Sequence, residues 1–282
     1  MSNHPSYILH ERAHEYSGAG TGSLSIKSFF GGQAIYEIGH GRYAVDDRSY
    51  LVVNRGQPYS ITIDAATPVE SFCLFFQDGF AEEVRRSLLT PADRLLLEPD
   101  VAAPEAIMFF ERTYPHGDVL SPALLQLRAM LARRPVEQSW LQEQFHAIME
   151  RLLQVHQNVY REMARLPAVR PATREELYRR LHRAKDFVAA SFDQPISLAD
   201  IALIACLSPN HLLRTFKQVF HQTPHQFLTM QRLEHAQRLL RYTDRSVTDI
   251  CLSVGFESLG SFSWLFRRHV GVSPAAYRRQ MR

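Results

Sequence analysis

The sequence predicts a multidomain α+β protein: an N-terminal β-barrel with a helical segment, then an all-α C-terminal domain with two helix-turn-helix motifs. Three observations carry this. Between Ser23 and Gln77, turn signals recur about every 8 to 12 residues and separate short runs of aromatic and β-branched residues. After Asp78-Gly79 the apolar period becomes three to four residues. Finally, ACLSPNHLLRTFKQVFHQTPHQF at Ala205–Phe227 returns fifty residues later as VGFESLGSFSWLFRRHVGVSPAAY at Val254–Tyr277.

A chain of 282 residues suits two domains, each long enough to bury a core. Hydrophobic content of 45% and charged content of 22% exclude a disordered or fibrous class. The longest apolar run, Ile201–Leu207, is far shorter than the roughly 20 residues of a membrane span. The N-terminus lacks the basic start and apolar core of a secretory signal, so a cytoplasmic protein without a membrane partner is expected. Cys73, Cys206 and Cys251 are odd in number and show no C-x-x-C spacing, which predicts buried thiols rather than disulfides or a zinc site. The net charge of +3 is unevenly spread. Residues 1–170 carry 16 Lys and Arg against 20 Asp and Glu, a net −4; residues 171–282 carry 16 against 9, a net +7. A basic C-terminal half points to nucleic acid.

In chain order, residues 1–22 read as a polar arm and 23–80 as the barrel. Its strands are SLSIKSFF, QAIYEI, RYAV, SYLVV, YSITI and VESFCLFF, and its turns include Gly39-His40-Gly41 and Asp64–Pro68. In YSITID, Ile61 and Ile63 alternate with Ser60 and Thr62, so one face meets a core. Residues 81–166 form a helical segment, opened by FAEEVRRSLL and interrupted by Pro91, Pro99, Pro104 and Pro115. There Phe145, Ile148, Leu152, Val155, Val159 and Met163 make an amphipathic stripe. Such a stripe must be covered by the barrel or by a second subunit; the expectation is a subunit contact, hence a homodimer. Residues 167–174, with two prolines and no periodicity, read as a linker to a domain at 175–282.

The two copies align with an offset of 49 for Ser197/Ser246, Asp200/Asp249, Ile201/Ile250 and Leu207/Phe256. The offset is 50 for Leu212/Phe262, Phe216/Phe266, Lys217/Arg267, Thr223/Ser273, Pro224/Pro274 and Phe227/Tyr277. Ser197 with Asp200, and Ser246 with Asp249, resemble capping boxes that start a first helix. Ser208-Pro209 and Ser258 cap a second helix, and Thr223-Pro224 and Ser273-Pro274 cap an exit helix. Each copy, about 197–221 and 246–271, is thus a helix, a tight turn and a second helix of the shape that enters a DNA major groove. A solenoid of helical hairpins would usually need at least about three copies. The span His225–Arg241 gives about 17 residues of connecting helix, or roughly 25 Å, a strut between recognition helices that must lie about 34 Å apart on B-DNA.

With DICLSVGFESLGSFSWLFRRHVGVSPAAYRR, the last hundred or so residues resemble the DNA-binding domain of AraC/XylS-type transcriptional regulators. That signature has an Ile-Ala helix, a Gly-Phe turn, a Phe-x-x-x-Phe-Lys/Arg helix and a closing Gly-x-Ser-Pro-x-x-Tyr-Arg. The Ser23–Gln77 region is similar, in strand rhythm, to the cupin-like sensing domains of such proteins. The resemblance implies a cytoplasmic, dimeric transcription regulator with double-stranded DNA and a small-molecule effector as partners, RNA polymerase as a further candidate partner, and no enzymatic activity or cofactor. It places base contacts at Asn210, Leu213 and Arg214 and at Leu259, Gly260, Ser261 and Trp264. Ser208, Lys217, Arg267 and Arg268 would meet phosphates. The second copy departs from the pattern, because Leu259, Gly260 and Trp264 stand where polar side chains are common in relatives. Thymine-methyl contact, shape readout or simple packing of Trp264 are the alternatives there.

Two further motifs lack the context their chemistry needs. HERAH, His10–His14, matches H-E-x-x-H, but no apolar helix surrounds it and Gly20 replaces the extended motif's third histidine. A cupin metal site needs a His-x-His pair, whereas His40 stands alone before His116, so a metalloenzyme is a remote alternative. An organic effector lined by Tyr36, His40, Arg42 and Tyr43 is the reading of the barrel; the competing one is a domain that only dimerises or binds a protein.

Overall fold

The computed structural model describes residues 5–90, 106–133, 135–166 and 170–281. The chain divides into two compact units, Met1–Arg179 and Arg180–Arg282.

The first unit is built on a seven-stranded antiparallel sheet curled into a nearly closed barrel: β1 Tyr7–Thr21, β2 Ser25–Phe30, β3 Gln33–Ile38, β4 Gly41–Asp46, β5 Ser49–Val53, β6 Pro58–Phe75 and β7 Thr113–Pro115. The strand order is β4-β3-β6-β2-β5-β7, and β1 pairs along the other side of β6. The aromatic and β-branched runs form strands because one face closes on a core of Phe29, Tyr36, Tyr43, Ile61, Val69 and Cys73. The expected turn at Asp64–Pro68 is instead part of β6. Between the pairs Ala13↔Val69 and Glu15↔Asp64, one residue of β1 faces four of β6, and this irregularity absorbs Pro68 without breaking the strand.

Residues 1–22, read as an arm, are from Tyr7 onward the edge strand β1. Its side chains are mostly exposed, so backbone pairing rather than burial holds it, and no alternating pattern announced it. HERAH therefore lies on a strand; the helix its zinc reading requires is replaced by β1, and His10 Nε2 lies 2.9 Å from Glu70.

Helices α1 Phe80–Leu89, α2 Ser121–Leu131 and α3 Gln138–Ala164 complete the unit. Pro115 ends β7; Pro91, Pro99 and Pro104 lie outside the described residues. The α3 stripe is buried along its whole length within this unit, with Phe145 edge-on to Phe76 at 5.6 Å. The protein's own barrel and neighbouring helices cover it, so the expected subunit contact through this stripe is replaced by an internal one. Of the expected linker, 167–169 lie outside the described residues, and Pro171 opens helix α4, Pro171–Ala190. Proline fits a first helical turn, and helix-forming residues follow it.

Glu70 of β6 ties three elements together. Arg128 of α2 donates to both carboxylate oxygens at 2.6 and 3.0 Å, and His10 and Arg12 of β1 reach the same group at 2.9 and 3.0 Å. The Arg128 hydrogen bonds, outweighing the effect of burial, hold the Glu70 carboxyl at about 2, below the ordinary 4.5. A depressed carboxylate stabilises the fold fully above 4.5 and loses that contribution as pH falls towards 2. Glu70→Gln is expected to lower stability at neutral pH by about 3 kcal/mol and to flatten the acid side of the stability profile, read by urea unfolding across that pH range. An unchanged profile would contradict the assignment.

Candidate nucleic-acid interface

The second unit continues α4 into α5 Leu198–Ile204, α6 Pro209–Phe220, α7 Pro224–Tyr242, α8 Val247–Ser253, α9 Leu259–Val270 and α10 Pro274–Met281. Polar side chains start each helix of the two hairpins. Ser197 Oγ accepts from the Asp200 amide at 3.2 Å, while Asp200 accepts from the Ser197 amide at 2.8 Å. Ser246 Oγ accepts from the Asp249 amide at 3.0 Å and donates to the Asp249 carboxylate at 2.6 Å, so the second expected box is formed from the serine side chain alone, and Ser208 and Ser258 cap α6 and α9. Thr223 and Gln226 form a reciprocal box at the start of α7.

The sharp reversals need left-handed backbone, and the repeat preserves them. Cys206 (φ 50) in the first copy corresponds to Gly255 (φ 85) in the second, and His221 (φ 57) corresponds to Gly271 (φ 89). Only the second copy uses the residue that adopts this conformation without steric conflict. Arg180 donates to the Cys206 carbonyl at 3.1 Å and braces the first reversal. Cys73 and Cys251 are buried as expected, whereas Cys206 is exposed because it sits in this turn rather than on a helix face.

Packing decides what each second helix presents. On α6, Leu212, Thr215 and Phe216 are buried, and Phe216 meets Phe220 at 4.6 Å and Phe227 at 6.1 Å. On α9, Phe262 and Phe266 are buried, and Phe266 meets Tyr277 at 5.6 Å. Asn210, Leu213, Arg214 and Lys217 are consequently exposed on one helix, as are Leu259, Gly260, Ser261, Trp264, Arg267 and Arg268 on the other; Ser208 is exposed at the α6 cap. Trp264 is 59% exposed, with the Arg268 guanidinium 5.1 Å from its ring, so it is not a core residue. Among the described residues, no carboxylate forms an ion pair with Arg214, Lys217, Arg267 or Arg268. Four cationic heads are left facing solvent.

One positioning residue escaped the sequence reading. Arg232, in the middle of α7, donates to the Phe192 carbonyl at 2.8 Å and the Gln194 carbonyl at 3.0 Å, and its guanidinium lies 5.7 Å from the Phe256 ring. It joins the approach to the first hairpin to the turn of the second. Nothing in its sequence context distinguishes it from a solvated helix-face arginine. α7 itself spans 19 residues, about 28 Å of strut.

In the barrel, the four residues read as an effector lining separate. Tyr36 and Tyr43 are interior and paired across β3 and β4. His40 is exposed in the turn between those strands and Arg42 pairs with Glu37 on the opposite face, because side chains alternate along a strand.

Comparison with known proteins bears on the second unit. A family described as a helix-turn-helix domain matches residues 201–280. The C-terminal domain is an AraC-type helix-turn-helix domain. The melibiose operon regulatory protein of Escherichia coli (strain K12) is 37% identical over 93 residues, covering 33% of this chain and 31% of that protein. This chain thus spans about a third of such relatives. The HTH-type transcriptional activator RhaR of Klebsiella pneumoniae is 27% identical over 251 residues, covering 86% of this chain and 83% of that protein. A crystal structure of the DNA-binding domain of AdpA in complex with a target DNA is 32% identical over 36% of this chain and 90% of that chain, with a TM-score of 0.35. No helix among the described residues is long and apolar enough to cross a membrane.

The left-handed turn of this AraC-type domain gives a direct test. A Cβ at Gly255 would lie 2.9 Å from the Asp193 carbonyl oxygen and 3.0 Å from Arg232. Gly255→Ala is expected to destabilise by about 2 kcal/mol, whereas His221→Gly, relieving a strained position, should stabilise by up to about 1 kcal/mol. Thermal unfolding of the two variants measures both, and a neutral Gly255→Ala would contradict the account.

Proposed function

We propose that the protein is a sequence-specific DNA-binding transcription regulator that reads two adjacent major grooves with α6 and α9, under control of a small organic effector held in the N-terminal barrel. The observation that carries this reading is the repeated helix whose inner face is closed by phenylalanine and whose outer face is bare and cationic. Arg214 is assigned a bidentate contact to guanine, with Asn210 and Leu213 beside it. Lys217, Arg267 and Arg268, with the Ser208 cap, are assigned to phosphates, which fix register without reading bases. On α9, Ser261 supplies the small polar group and exposed Trp264 an apolar plate suited to thymine methyls or groove shape, so readout there is weaker in hydrogen bonds.

The effector is assigned to the barrel, whose interior includes Phe29, Tyr36 and Tyr43, and its binding would act by shifting the population able to engage both grooves. Dimerisation, if it accompanies this, uses a surface other than the α3 stripe.

Selection of genomic fragments by the intact protein at two salt concentrations tests the reading. Enriched half-motifs about one helical turn apart are expected. Arg214→Ala should weaken the preferred site by about 1–3 kcal/mol and relax one base position, while Lys217→Ala should weaken all sites alike and reduce the salt slope by about one. Salt-dependent binding without enrichment, in the wild type, would refute sequence-specific regulation.

A further inference from the structure

Arg232 is half-buried near the middle of α7. Its Nε donates to the Phe192 carbonyl and its Nη2 to the Gln194 carbonyl, two backbone oxygens on the approach to the first hairpin. The second hairpin meets the same guanidinium. A Cβ built on Gly255 would lie 3.0 Å from Arg232 Cζ and 2.9 Å from the Asp193 carbonyl oxygen, so the turn between α8 and α9 abuts both the guanidinium and the backbone it holds. The ring of Phe256, the next residue, lies 5.7 Å away.

Beside this junction is an open cavity of about 720 Å³, walled by Asp193 and Ser197 ahead of α5, Leu228 and Arg232 of α7, and Phe256 and Ser261 of the second hairpin. A space that side chains do not fill can change width without breaking a close-packed core. Since α5, α6, α8 and α10 each pack on α7, the relation between the two hairpins rests on that strut and on the Arg232 junction at the cavity wall. Arginine suits such a junction. Its planar fork holds two carbonyls at once in a fixed geometry, which the single point charge of an ammonium does not.

For a domain that reads two grooves, the angle between hairpins is a matter of specificity. One extra base pair between half-sites moves the second by about 3.4 Å and turns it by roughly 35°. A rigid junction rejects the displaced site, and a loose one follows it.

We propose that Arg232 is a specificity-determining residue that acts without touching DNA, by fixing α9 relative to α6 and hence the half-site spacing the protein accepts. The inference rests on the two-groove reading and adds to it the means by which spacing is selected.

Full-length wild type, Arg232→Lys and Arg232→Met are titrated with duplexes carrying both selected half-sites at the preferred spacing, with one or two base pairs inserted or removed, and with one half-site alone. The wild type should bind each altered spacing at least about tenfold more weakly than the preferred one, and both variants should flatten that difference to within about threefold. Their affinity for the preferred site should fall by less than about tenfold, because only preorganisation is lost. The salt slope of Arg232→Met should match that of the wild type, since no phosphate contact is removed. A wild-type spacing profile in Arg232→Lys would show that charge suffices and overturn the proposal. So would an unchanged profile in Arg232→Met with a lowered Tm, the result of a role in folding alone, or a salt slope reduced by about one, the mark of a phosphate contact. A wild type indifferent to spacing, yet binding two half-sites more tightly than one, would overturn it and leave the two-groove reading standing. One half-site bound as tightly as two would overturn both. Should neither variant fold, the Arg232 Nε–H resonance of isotope-labelled wild type decides. It should persist on the preferred spacing and be lost on the site lengthened by one base pair, and persistence on both would overturn the proposal.

Discussion

Phenylalanines close the inner face of each second helix, Phe216 with Phe220 on α6 and Phe262 with Phe266 on α9, and that closure fixes which side chains the domain can offer to DNA. A helix buried along one stripe must present the opposite one. Hence Arg214 and Lys217, and Arg267 and Arg268, are turned outward together. The exit helices repeat the same lock through Phe227 and Tyr277, so each copy is a complete packing unit with its own cap, core and bare face. Arg232 and the α7 strut then relate one copy to the other through backbone carbonyls rather than through side chains that could change partners.

The repeat was legible because its signals are local. Caps such as Ser197/Asp200 and the three- to four-residue spacing of phenylalanines act within a few residues, and sequence shows them directly. Left-handed positions were half legible: Gly255 and Gly271 announce themselves, but Cys206 and His221 hold the same conformation without the residue that advertises it. The first unit was harder to read. β1 is made by pairing to β6, a long-range fact with no trace in an exposed, polar segment, and β6 runs through a proline where a turn looked obligatory. Lys27, buried in β2, was invisible for a related reason. With both faces of β2 buried, Ser25, Lys27 and Phe29 show no contrast against Ile26, Ser28 and Phe30, and only the register reveals which set looks inward.

Charge is managed differently in the two units. In the first, Glu70 gathers two arginines and a histidine and is fully engaged, while Lys27 faces the core with aromatic rings but no anion. In the second, among the described residues, Arg214, Lys217, Arg267 and Arg268 have no carboxylate partners. Unpaired surface cations bind a polyanion readily because counter-ion release favours it.

Two helices, α6 and α9, are proposed to read two grooves from one polypeptide. Guanine-methylation interference on a selected site, with the intact protein, tests it most directly, because methyl groups at N7 block the major-groove edge. The account predicts two clusters of interfering guanines about 10 base pairs apart on one face of the duplex, the stronger opposite α6. A single cluster, or protection without interference in the major groove, would contradict it.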